Sequence, residues 1–136
     1  MHTKRRTLLT AMALTSLIAC QSTPLPKKEN KQMYGLIGKI NTKPGQRDAL
    51  AAILLQGTQD MPGCLSYVVA ADPANADALW ITELWDSKDS HAASLRLPGV
   101  QAALQAGRPL IVGFGERFET QPIGGFGTRL VTAPQH

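Results

Sequence analysis

Trp80-Ile81-Thr82-Glu83-Leu84-Trp85-Asp86-Ser87-Lys88-Asp89-Ser90-His91-Ala92-Ala93-Ser94 reads as a strand running straight into a helix. Side chains alternate across a sheet, so Trp80, Thr82, Leu84 and Asp86 share one face and Ile81, Glu83 and Trp85 the other. Ser87 offers a hydroxyl to cap the helix, and Asp89 puts negative charge in its first turn. His91 follows about one turn in. Both tryptophans, a carboxylate on an apolar face, and the one histidine away from the chain ends fall within this stretch. A reactive site is expected to touch it.

Upstream, the order is regular. Met33 to Asn41 reads as a first strand, and Thr42-Lys43-Pro44-Gly45 as a turn. Leu50, Ile53, Leu54 and Gly57 then follow one helical face in a segment ending near Asp60. Cys64 to Ala71 is a second strand rich in β-formers. It is joined to the third, Ala78 to Asp86, by the turn residues Asp72 to Asp77, which implies an antiparallel hairpin. Downstream of Ser87 the helical pattern is interrupted at Leu97-Pro98-Gly99. A second segment runs from Pro98 to Ala106 with Val100, Ala103 and Leu104 inward. Leu110 to Thr120 is the fourth strand. The order βαββαβ predicts an α+β, ferredoxin-like sandwich with helices on one face of a four-stranded antiparallel sheet. The other face then needs a cover, and pairing with a second copy is the economical one.

The first 19 residues read as a signal peptide. His2, Lys4, Arg5 and Arg6 make a basic start, and Leu8 to Ile18 is an apolar run too short to span a bilayer. Leu17-Ile18-Ala19-Cys20 resembles the lipobox of bacterial lipoproteins, which implies lipidation of Cys20. Gln21, in place of the aspartate that favours inner-membrane retention, implies the periplasmic face of the outer membrane. Lys4-Arg5-Arg6-Thr7-Leu8-Leu9 also resembles a twin-arginine export signal. Residues 20–32 read as a polar, proline-bearing tether, 33–125 as the domain, and 126–136 as a tail. The net charge of +4 rests largely on the signal. The mature chain is close to neutral and carries no electrostatic footprint for nucleic acid. Of the two cysteines, Cys64 is left alone after Cys20 and is expected to pack.

Four patches, in order and at matching spacing, resemble the antibiotic biosynthesis monooxygenase domain, and within it the small quinol monooxygenase-like proteins. They are Lys43-Pro44-Gly45, Asp60-Met61-Pro62-Gly63-Cys64-Leu65-Ser66-Tyr67, Glu83-Leu84-Trp85-Asp86-Ser87 with His91-Ala92-Ala93-Ser94, and Pro109-Leu110-Ile111-Val112-Gly113-Phe114. The resemblance implies a dimeric α/β barrel with a pocket in each subunit between sheet and helices. It also implies oxidation of a quinol or related polyphenol by molecular oxygen without a prosthetic group. Haem-degrading relatives use a histidine further along the second helical region and an asparagine on the first strand. Residues 102–107 hold no histidine and Asn41 falls at the strand's end, which argues against haem.

Cofactor-free oxygenation needs a base near a phenolic oxygen, donors for the resulting anion, and a pocket that excludes water. His91 is the first candidate base, since imidazole titrates near neutral pH; a structural histidine is the alternative. Glu83 would orient His91 or act as base itself, against an ion pair with Arg117 or Lys39. Trp85 is either a substrate-binding wall or core. Tyr67 is either a hydroxyl donor to bound oxygen or a dimer-interface residue. Arg108 and Arg117 would attract an anionic substrate or simply lie on the surface. No metal-ligand spacing, Gly-x-Ser-x-Gly elbow or phosphate loop appears, and no metal or cofactor is expected. The expected partners are a small aromatic or quinol substrate, oxygen, a second copy of the chain, and the membrane through the lipid anchor alone. The alternatives are a non-catalytic aromatic- or quinone-binding dimer, and a structural dimer whose pocket is filled by side chains. The anchor is checked by metabolic labelling with palmitate: the native chain should take up label and the Cys20→Ala variant none.

Overall fold

The computed structural model describes residues 32–128. The signal, Cys20, the tether up to residue 31, and the tail from residue 129 lie outside the described residues. The elements follow the expected order: β1 (Tyr34–Thr42), α1 (Arg47–Gly57), β2 (Cys64–Ala71), β3 (Ala78–Trp85), α2 (Lys88–Ser94), α3 (Pro98–Gly107), a single 3-10 turn (Arg108–Leu110) and β4 (Ile111–Thr120). The sheet order is β2-β3-β1-β4, and every neighbouring pair is antiparallel. This is the α+β ferredoxin-like arrangement. It puts β1 and β3, the strands carrying most apolar bulk, in the middle.

Register decides which residues face the helices. Tyr34, Leu36, Gly38 and Ile40 of β1 pair with Trp85, Glu83, Ile81 and Leu79 of β3. All eight lie on the helix side, because facing residues share a face and side chains alternate. Two clusters form beneath the helices. One joins Leu50, Leu54, Leu79 and Ile81; the other joins Tyr34, Met61, Trp85 and Val100. Tyr67 packs against both. Where α1 crosses α3 there is no room for side chains: a Cβ on Gly57 would come within 2.4 Å of the Ala103 Cβ. The opposite sheet face carries Ile37, Val68, Trp80, Leu84 and Phe118, with Val68 and Phe118 about half exposed.

Boundaries differ from the sequence expectation in a few places. α1 ends at Gly57 instead of near Asp60. The Thr58 N–H and hydroxyl both donate to the Leu54 carbonyl, at 3.1 and 2.7 Å, and close the last turn so that Met61 can drop into the core. Leu104, expected to face inward, is 42% exposed. It lies at the edge of the α3 face that packs on α1, whose buried residues are Val100, Ala103 and Gly107, and borders the cavity instead. β1 begins and ends one residue later than expected, and β3 stops at Trp85. The expected cap on α2 is present: Ser87 Oγ accepts from the Ser90 N–H at 3.2 Å.

The turn at Pro62-Gly63 fixes where α2 lies. Gly63 has φ 84°, a left-handed conformation that favours glycine. Its carbonyl accepts from the Asp86 N–H at 2.9 Å. A Cβ there would meet Ser90 at 2.5 Å and Asp86 Oδ1 at 2.8 Å. The start of α2 is therefore seated directly on a bare backbone. Gly63→Ala should cost about 1–3 kcal/mol from the backbone conformation alone, read as a lowered urea midpoint, and should also shift the α2 amide resonances in an NMR spectrum.

Candidate active site

β3 supplies Glu83 and Trp85, two residues apart and on the same face. The Trp85 indole N–H donates to Glu83 Oε2 at 2.8 Å. Trp85 is only 1% exposed, so its ring is core and its one polar atom is spent on the carboxylate. It is packed as core, and its edge also lines the cavity. Glu83 is tucked beneath α2, its side chain 13% exposed.

α2 supplies His91. Its Nε2 lies 3.7 Å from Glu83 Oε2, close enough for charge attraction but longer than a direct hydrogen bond. The imidazole is confined on two further sides. The Tyr34 ring is tilted against it at 5.2 Å between centroids, and the Trp85 ring meets it edge-on at 5.4 Å. Ser94 Oγ donates to the His91 carbonyl at 2.7 Å, which tightens the end of the short helix. Tyr67 stands directly across from Glu83 in the β2–β3 pairing. Burial, with Glu83 and Cys64 adding to it, pushes its phenol above the usual tyrosine range, so the hydroxyl stays protonated at neutral pH and can donate. The Cys64 thiol is likewise raised, mainly by burial. That suits packing and disfavours the thiolate.

These groups open onto a cavity of about 250 Å³ between sheet and helices. Its wall is mostly apolar, from residues such as Leu36, Leu54, Ile81 and Val100, and Glu83, His91 and Tyr67 are among the polar residues that line it. Leu95, Leu104 and Phe114 stand at its mouth, each well exposed. A pocket filled with side chains is therefore not what the chain builds. Larger recesses elsewhere are open grooves without this pairing of acid and imidazole.

All four sequence-predicted site residues, His91, Glu83, Trp85 and Tyr67, come together on this one wall. The alternative ion pair for Glu83 is absent. Lys39 points to the opposite sheet face, binds Asp72 at 2.6 Å and lies over the Trp80 ring. Arg117 binds Glu119 at 3.0 Å on its own strand. It still borders the cavity, whereas Arg108 does not. Sequence reading missed Tyr34. It stands beside Glu119, whose carboxyl Lys88, Arg117 and Tyr34 together pull down to about 2. Lys88 at the start of α2 reaches Glu119 on β4 at 2.9 Å, tying that helix to the edge strand. The signal for Tyr34 was the alternation Tyr34-Leu36-Gly38-Ile40, which became readable only once the register against Glu83 and Trp85 was known. Among the described residues no group of three or more His, Cys, Asp and Glu side chains converges to hold a metal.

Residues 33–106 match the family described as antibiotic biosynthesis monooxygenase. The chain belongs to that family. A crystal structure from Chloroflexus aurantiacus J-10-fl, provisionally named an antibiotic biosynthesis monooxygenase, is 63% identical. It is matched over 71% of this chain and 99% of its own, with a TM-score of 0.69. A similarly named Deinococcus radiodurans protein is 25% identical over 68% of this chain and 95% of its own, TM-score 0.57. One from Caulobacter crescentus CB15, at 18% identity over 70% and 93%, TM-score 0.63, shares the fold. No curated protein matches the chain.

Proposed function

We propose that this family member is a monooxygenase that oxidises a quinol or related polyphenol with molecular oxygen, drawing the electrons from the substrate itself. The observation that carries the reading is the Glu83–His91 pair, 3.7 Å apart in the wall of a mostly apolar cavity. A phenol is a poor reductant for oxygen until it loses its proton. The pair supplies a base at the end of a site that excludes bulk water, where desolvation strengthens each electrostatic contact. The gap between Nε2 and Oε2 leaves the imidazole edge free for a substrate hydroxyl, while Trp85 holds the carboxylate. His91 takes the phenolic proton, Glu83 stabilises the imidazolium, and Tyr67, across from Glu83, donates to the developing oxygen anion.

The balance closes without an outside reductant. A hydroquinone and O2 give a hydroxyquinone and water: one oxygen atom forms a new C–O bond, the other leaves as water, and all the electrons come from the ring. Oxygen-electrode assays of residues 33–128 with a panel of hydroquinones should record consumption above the uncatalysed rate. His91→Ala and Glu83→Gln should each lower kcat by about 10²–10⁴-fold, the usual worth of a positioned base. Equal rates with and without protein would sink the reading. Quenching of tryptophan fluorescence by the same compounds with no oxygen uptake would instead favour a binding protein.

The working unit in this reading is a homodimer. The sheet face away from the helices presents Ile37, Val68, Trp80, Leu84 and Phe118, and residues 121–128 add Ile123 and Phe126, both fully exposed. Exposed apolar side chains gathered on one sheet face are costly to leave in water. Light scattering of the same domain should return twice the monomer mass at micromolar concentration, and Phe118→Arg should return the monomer mass.

A further inference from the structure

We propose that Gly38 is the specificity-determining residue of the cavity: its bare backbone is the floor on which a flat aromatic of one or two rings lies, with a hydroxyl directed at His91 and Glu83. This rests on the aromatic-substrate reading above but not on turnover. Gly38 is in the middle of a central strand, paired with Ile81 on one side and Arg117 on the other. Its missing side chain would point to the helix side, as Leu36 and Ile40 do, and it lines the cavity.

Nothing in the protein requires glycine there. Gly38 is not among the residues with positive φ, and a Cβ built on it meets no atom within 4 Å. The contrast is with Gly35, where a Cβ would lie 2.2 Å from Thr120 Oγ1, and with Gly115, where Lys39 stands 3.2 Å away. Gly113 also has free space, but it pairs with Asn41 and opens on the other sheet face. A glycine inside a strand gives up conformational entropy and packs nothing. One that neither turns the chain nor admits a neighbouring side chain leaves its space to something outside the chain, and close approach of backbone to a ligand is a recurrent use of glycine.

Geometry sets the shape of that ligand. Same-face neighbours along a strand stand about 7 Å apart, so the position level with Glu83 is one aromatic ring's reach from the floor. The volume of about 250 Å³ falls below the roughly 300–1,000 Å³ of sites that hold drug-sized molecules. It suits one or two rings, not three or four fused ones. The β1–β4 ladder also slips between Gly38 and Ile40, and a bulge at this point loosens the wall beside the floor.

Gly38→Val and the milder Gly38→Ala test this. Both suit an extended backbone and open space, so thermal midpoints should hold or rise. Calorimetric titration of the domain with phenol and 2-naphthol should find both bound by the native chain. Gly38→Val should weaken 2-naphthol at least tenfold and phenol less, with Gly38→Ala between. Unchanged affinity in both variants overturns the proposal, as does equal loss for both probes with a falling midpoint, or no binding of either probe by the native chain. Gly38-dependent binding without oxygen uptake sustains this proposal and removes the oxygenase reading. Oxygen uptake indifferent to Gly38→Val does the reverse.

Discussion

A carboxylate on the buried face of a central strand must be given a partner, or its burial is costly. Here the partner is two residues away on the same strand. The Trp85 indole donates to Glu83 at 2.8 Å, so the residue that anchors one core cluster also fixes the acid. Strand alternation makes this possible, because only residues two apart share a face. Since Trp85 is packed almost completely, Glu83 inherits a position that a flexible side chain would not otherwise keep.

The histidine is placed by a separate device that converges on the same point. α2 has only seven residues, too few to be stable alone. It is held by the Ser87 cap, by its seat on Gly63, and by the Lys88–Glu119 bridge to β4. Tyr34 closes a further side, its ring tilted against His91. The site is thus assembled from all four strands and a helix, and its polar groups line a mostly apolar cavity.

Much of this was legible in the chain. Glu83 and Trp85 were placed on one face by alternation, Ser87 by capping chemistry, and the hairpin by the Asp72–Asp77 turn. These are local rules with a range of a few residues. The alternative reading of Glu83, an ion pair with Lys39 or Arg117, failed for a non-local reason. Lys39 sits on a strand whose register turns it to the other face, where Asp72 takes it. Arg117 faces the right way but is two strands from Glu83 and bonds within β4. Leu104 misled because helical spacing marks a face but not how wide a strip of that face the neighbouring helix covers.

The sequence by itself determined the order of elements, the family, and which residues of β3 look inward, because these follow from periodicity and capping within single segments. The tertiary structure alone decided that Glu83 is left to His91 rather than to Lys39 or Arg117, that Tyr34 and Lys88 brace the site, and that the space over Gly38 stays open. Those are outcomes of register between β1, β3 and β4 and of how α2 is seated. Register is set by the sum of many packing contacts across the sheet, and no single segment carries that sum.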